Sequence, residues 1–254
     1  MELKNSQIAQ SRYDNLSLWL LIYASSYAFF HIMPAFLNFE IKNRLMIADV
    51  FDILTPFVMV FLIYKIYRIQ LMEARGNSNS TVKSIAVIIL ILGAITFVEG
   101  HGMHLSANAI ARHLTPTKDS PLYALDYFFD EILGHILWDG GIILLSVGLL
   151  VIAFNSNEDK ASNPKLLLTI FASLFYGFTY FVNGVEGQTV VFTFPLAIVI
   201  PLVILWLGHR KRIQLLKNPL LSFYFFAYIL ALSLFIFWGI WHKGFPQFSE
   251  LGWV

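Results

Sequence analysis

Apolar residues fill this chain in long unbroken spans rather than in stripes, at about 16 to 38, 46 to 68, 83 to 105, 126 to 154, 165 to 185, 188 to 208 and 219 to 242. Each span reaches the roughly 20 residues that an α-helix needs to cross a hydrocarbon core. The pattern predicts an all-α integral membrane protein, a bundle of about seven transmembrane helices forming a single domain over residues 1–254. The connections are short. The most polar one, NSNEDKASNPK at 155–165, reads as a plain loop, and Leu105 to Leu122 reads as the longest connection on the opposite side. The opening MELKNSQIAQSRYDN is polar and lacks the basic, apolar and small-residue order of a cleaved signal, so it reads as a short cytoplasmic tail.

Composition strengthens the lipid reading and narrows the partners. Hydrophobic residues make up 57% of the chain and charged residues 13%, where soluble domains carry roughly 45 to 50% and about 25%. A multi-pass protein of the cell membrane follows, with the bilayer as its first partner. Cysteine is absent, which removes disulfides, thiolate metal sites and iron-sulfur clusters and leaves nitrogen and oxygen as metal donors. A net charge of +1 without a basic cluster argues against nucleic acid. Cytoplasmic loops retain lysine and arginine. The N-terminal tail and the second, fourth and sixth loops hold twelve of them (Lys4, Arg12, Lys65, Arg68, Arg75, Lys83, Lys160, Lys165, Arg210, Lys211, Arg212 and Lys217). The other side holds five, Lys42, Arg44, Arg112, Lys118 and Lys243. The N-terminus is therefore expected in the cytoplasm and the C-terminus outside.

Orientation exposes a second asymmetry. Six of the seven histidines, His31, His101, His104, His113, His135 and His242, fall in the outer half, and so do Asp49, Asp52, Glu99, Asp130, Glu131 and Asp139. A charge at the centre of a membrane helix costs about 2.5 to 3.5 kcal/mol on insertion scales, so such groups face a bundle interior, a partner or water. In VEGHGMHLSANAI, the side chains of His101, His104 and Asn108 lie within about 60° of one another at roughly 100° per residue. In YFFDEILGHILWDGG, Glu131, His135 and Asp139 form an i, i+4, i+8 stripe. Gly100, Gly102, Gly134, Gly140 and Gly141 flank these residues, and small residues let membrane helices approach. The two stripes are therefore expected to meet.

Three imidazoles and two carboxylates at one point suit a divalent metal: zinc first, with iron or copper as the alternatives. The expected ligands are His101, His104, His135, Glu131 and Asp139, and the expected acid–base groups Glu131, Asp139 and Asp52. Metal-bound water at a pKa of about 7 would attack a lipid or amphipathic small-molecule substrate near the outer face. The leading expectation is thus a metal-dependent membrane enzyme that hydrolyses or otherwise modifies such a substrate. Three others stand beside it: an iron- or copper-dependent oxidase or hydroxylase (a di-metal oxidoreductase among them), a proton-coupled or ion transporter using the same residues as a relay, and a structural subunit of a larger complex. The relay needs polar groups in the inner halves, which read as almost wholly apolar in MVFLIYKIY, SIAVIILILG, SVGLLVIAF and PLVILWLG.

Several readings stay open on the residues alone. His31 reads as an interhelical hydrogen-bonding residue, and Asp49 and Asp52 as either site residues or the acidic start of a helix at Ile47. Asn183 and Glu186 could close the pocket or only form a turn, and the C-terminal WHKGFPQFSELGWV could be an aromatic belt or a lid over the outer mouth. The last helix, LSFYFFAYILALSLFIFWGIW, contains no lysine to hold retinal. The architecture resembles the seven-helix metal hydrolases that include alkaline ceramidases and the progestin and adiponectin receptors. That resemblance implies a zinc ion held by three histidines. The motifs depart from it, since His101-x-x-His104 and Glu131-x-x-x-His135 stand where that group has Ser-x-x-x-His and His-x-x-x-His.

Overall fold

A computed structural model describes residues 2–37, 39–42, 45–73, 80–114, 120–155 and 165–253, with side chains throughout except at 2–14 and 72–73. Among these residues seven helices are long and apolar enough to cross a membrane. They are α1 (Glu2–Ile32), α2 (Ile47–Glu73), α3 (Ser80–Leu114), α4 (Pro121–Ala153), α5 (Leu166–Glu186), α6 (Val190–Lys211) and α7 (Pro219–His242). The chain is a multi-pass helical membrane protein. In lipid a helix is the solution for a single span, because it satisfies every backbone N–H and C=O within the segment. A two-stranded antiparallel hairpin, β1 (Glu40–Lys42) and β2 (Leu45–Met46), joins α1 to α2 at the end that the charge distribution places outside.

Local sequence explains where the helices start and stop. Asn218 accepts from the backbone N–H of Leu220 and Leu221, and Pro219 follows at the first helical position, where a missing N–H costs nothing. Ser120 and Pro121 do the same for α4. At the other ends, Arg212 (φ 56°) and Lys243 (φ 55°) turn the chain out of α6 and α7 in the left-handed conformation.

Two expected connections prove to be helix. No glycine or proline interrupts residues 2–33, so α1 begins at Glu2 and the polar opening prolongs it. Likewise α3 continues to Leu114, and Leu105–Leu114 is helix rather than loop, held by its contact with α4 and by a bond from Arg112 to Asp49 of α2. Most of the 155–165 loop, together with Arg44, Arg75, Lys118 and Lys160 from the charge count, lies outside the described residues.

The closest helix pair is α3 against α4, antiparallel along a glycine seam. Gly93 and Gly100 on α3, and Gly134, Gly141 and Gly148 on α4, recur every seven residues, the spacing that keeps one face turned to a neighbour in a left-handed crossing. A Cβ at Gly100 would strike the Trp138 backbone, one at Gly141 the Phe97 backbone, and one at Gly93 would come within 2.8 Å of the Leu145 N. Gly102 and Gly140, expected to share this role, face open space. The other interior is built by α1, α5 and α7, which pack together around buried tyrosines.

Candidate functional site

The seam brings the outer turns of α3 and α4 together, and the two stripes do meet. Between Tyr127 and His135, α4 widens into a π-helical turn, Phe128–Gly134, with i→i+5 bonding. The wider turn takes in one more residue than an α-turn, so adjacent Asp130 and Glu131 both project into the bundle. Asp130 reaches α3, where its Oδ1 lies 2.7 Å from Nδ1 of His104. This is a charge contact that lacks the direction of a good hydrogen bond. Glu131 stays beside His135, Oε2 to Nε2 at 3.8 Å. The rings of His104 and His135 are edge to face at 4.8 Å between centroids.

Trp138 is the centre of this arrangement. Its ring lies 4.0 Å from His101, 4.9 Å from His31, 5.3 Å from His104 and 5.5 Å from His135, stacking on the last. Trp138 Nε1 donates to Nε2 of His31 at 3.1 Å, which leaves the proton on Nδ1 to go to the Tyr27 carbonyl at 2.8 Å. Both nitrogens of His31 are thereby engaged, as an interhelical hydrogen-bonding residue requires. His101 is buried beneath the indole, with neither ring nitrogen bonded among the described residues.

Above Trp138 opens a cavity of about 680 Å³. His104, Asn108, Glu131, His135, Asp52 and Glu186 supply its polar wall, and Trp138, Phe178, Phe181, Trp238, Phe248 and Trp253 much of the rest. The residues after α7 fold back over it as a lid. Glu186 Oε2 accepts from the backbone N–H of Phe248 (2.7 Å) and Ser249 (3.3 Å), and Trp238 Nε1 donates to the Pro246 carbonyl at 3.1 Å. Phe248 packs on Phe181 and Trp238. Gly187 closes the wall behind His135, since a Cβ there would come within 2.5 Å of the imidazole Nδ1.

Not every expected site residue arrives. Asp139 is buried, but it accepts from the Thr189 hydroxyl and lies away from the cavity wall. Its i+8 position places it about 12 Å along the helix from Glu131 at 1.5 Å per residue, one level too deep. Asp49 is likewise structural: it takes the Met46 N–H at 2.8 Å and both carboxylate oxygens face Arg112, at 2.7 and 2.9 Å. Asp52, one turn on, lines the cavity.

Sequence comparison places relatives on this frame. Over 249 residues the chain is 26% identical to ceroid-lipofuscinosis neuronal protein 6 of Homo sapiens and to its homolog in Canis lupus familiaris, covering 90% of this chain and 74% of each relative. No family model matches the chain. No solved structure matches it either.

A metal would need three or more of these donors turned toward one point. Among the described residues no group of three His, Asp or Glu side chains is so arranged. Of the expected ligands, His104, His135 and Glu131 stand side by side, His101 lies behind Trp138, and Asp139 is held by Thr189. Asp130 and Trp138 were absent from the expected site. The π-turn that admits Asp130 leaves no pattern in the sequence, and one tryptophan among many aromatics reads as packing.

Proposed function

We propose that this chain is a membrane enzyme that modifies a lipid or amphipathic small molecule by proton transfer in the outer cavity, with hydrolysis the first candidate reaction. The observation that carries the reading is that His104, His135 and Glu131 share the wall of a largely aromatic cavity, with Asp130 in contact with His104. Asp130 lies against Nδ1 of His104, where a buried carboxylate favours the tautomer whose Nε2 can act as a general base. Glu131 and His135 form the partner pair across the rings, suited to return the proton to a leaving group. Phe178 and Phe237 line the cavity and are also exposed on the outside of the bundle, where lipid would meet them, so an acyl chain has a way in from the side.

A divalent metal, zinc ahead of iron or copper, is the second form of the same reading. It is favoured by the juxtaposition of His104, His135 and Glu131, which would hold it and would turn bound water into hydroxide.

The test is turnover. Purified protein in nanodiscs, incubated with a total lipid extract and read by mass spectrometry, is expected to generate product, and His104→Ala is expected to stop it. Retained turnover in the His104→Ala, His135→Ala double variant overturns the proposal. Elemental analysis of the same preparations separates its two forms: stoichiometric metal, lost on His104→Ala, selects the metal form.

A further inference from the structure

The cavity has a sign. Three carboxylates, Asp52, Glu131 and Glu186, reach its wall, and among the described residues no lysine or arginine does. Glu186 is occupied by the backbone N–H groups of the lid, and Glu131 stands 3.8 Å from His135. Asp52 is different. It is 7% exposed, and among the described residues it makes no direct hydrogen bond or ion pair, only longer-range electrostatic contacts. Its charged neighbours are His104, Asp49, Arg112 and Asp130. Arg112 is bonded to Asp49 and His104 lies against Asp130, so neither makes direct contact with it.

The backbone adds to this. Pro56 stands four residues on, and because proline has no N–H, the Asp52 carbonyl loses its helical partner as well. A carboxylate nine-tenths buried and without a direct partner is costly to keep charged, and a bound cation would supply the counter-charge. The walls facing it are aromatic, and the faces of Trp and Phe rings attract cations, most strongly for tryptophan.

We infer that the outer cavity binds an amphiphile with a cationic head, a primary or quaternary ammonium on a long apolar chain, with Asp52 as the counter-ion of the head and the chain leaving between Phe178 and Phe237. This rests on the reading of the cavity as a substrate site and names the class of molecule it takes.

The experiment uses the full chain in phosphatidylcholine nanodiscs, titrated with octadecylamine, octadecanol and stearate, with tryptophan fluorescence and Tm as readouts. Octadecylamine is expected to bind saturably and at least tenfold more tightly than the alcohol or the acid, and to raise Tm. Asp52→Asn is expected to erase that preference, whereas Tyr176→Phe, at a side chain sealed in the bundle away from the cavity, is expected to retain it. Equal binding of the three probes by the unaltered protein, tighter binding of stearate, or a preference that survives Asp52→Asn overturns the inference. The outcomes also separate it from the reading beneath it. Amine preference without turnover of any lipid refutes the enzyme and leaves the ligand class standing; turnover indifferent to head charge does the reverse.

Discussion

Two polar regions lie inside this bundle, and they are built on opposite terms. At the outer end, histidines and carboxylates surround Trp138 and open into a cavity. Deeper, six tyrosines from three helices, Tyr23 and Tyr27 of α1, Tyr176 and Tyr180 of α5, and Tyr224 and Tyr228 of α7, are sealed from any surface. Their rings interlock, Tyr176 meeting Tyr27 at 5.1 Å and Tyr180 meeting Tyr228 at 5.0 Å, and the Tyr176 hydroxyl bonds Ser146 of α4 at 2.9 Å. The outer region spends ionisable groups where solutes can reach them; the inner one uses neutral hydroxyls where nothing enters. Polarity in a membrane core thus lines an accessible cavity in the first case and joins helices in the second.

The sharpest way to break the contrast is to remove what joins the regions. Gly141→Leu drives a side chain into the Phe97 backbone between Trp138 and Ser146, and overpacking of this kind costs about 3 kcal/mol or more. Both regions should fail together, seen as aggregation on size exclusion and loss of a cooperative melt. Next in size is His104→Gln, whose amide can still meet Asp130, expected to cut turnover about 100-fold or more while Tm stays near that of the unaltered protein. Tyr176→Phe is its mirror. Ser146 already donates to the Ile142 carbonyl, so it loses its donor, at a cost of about 1 kcal/mol. Tm should fall by a few degrees with turnover unchanged, and a loss of turnover instead would make the tyrosines part of the chemistry. The smallest effect belongs to Glu186→Gln, which weakens two backbone bonds of the lid. Faster hydrogen exchange confined to the Phe248 and Ser249 amides is the expected result, with exchange in the tyrosine region unaltered.

These regions were not equally legible in the sequence. Seven spans could be read directly, because apolar length is a one-dimensional signal. Histidines and acids inside apolar spans stand out for their rarity, so the proximity of His104, Glu131 and His135 is readable from their spacing. Tyrosine does not stand out, since it is common both at membrane interfaces and in cores. The inner halves of α2, α3, α4 and α6 read as apolar, whereas the tyrosines come from α1, α5 and α7. Direction around a helix was also easier to read than depth along it. His101 and His104 share a face, but three residues of rise, about 4.5 Å, put one beneath Trp138 and the other above it. Asp130 was hidden for a third reason: a stripe drawn at a constant angle per residue cannot anticipate a π-turn.

The glycine seam has a consequence for inheritance. Every glycine codon begins with two guanines, and each single-base change that alters the residue adds at least a Cβ. At Gly100 and Gly141 that first carbon already meets the backbone of the facing helix, so alanine, the mildest residue within reach, is not a mild change. Variation at these two positions should therefore be filtered as severely as variation at a catalytic residue, although neither position touches a substrate.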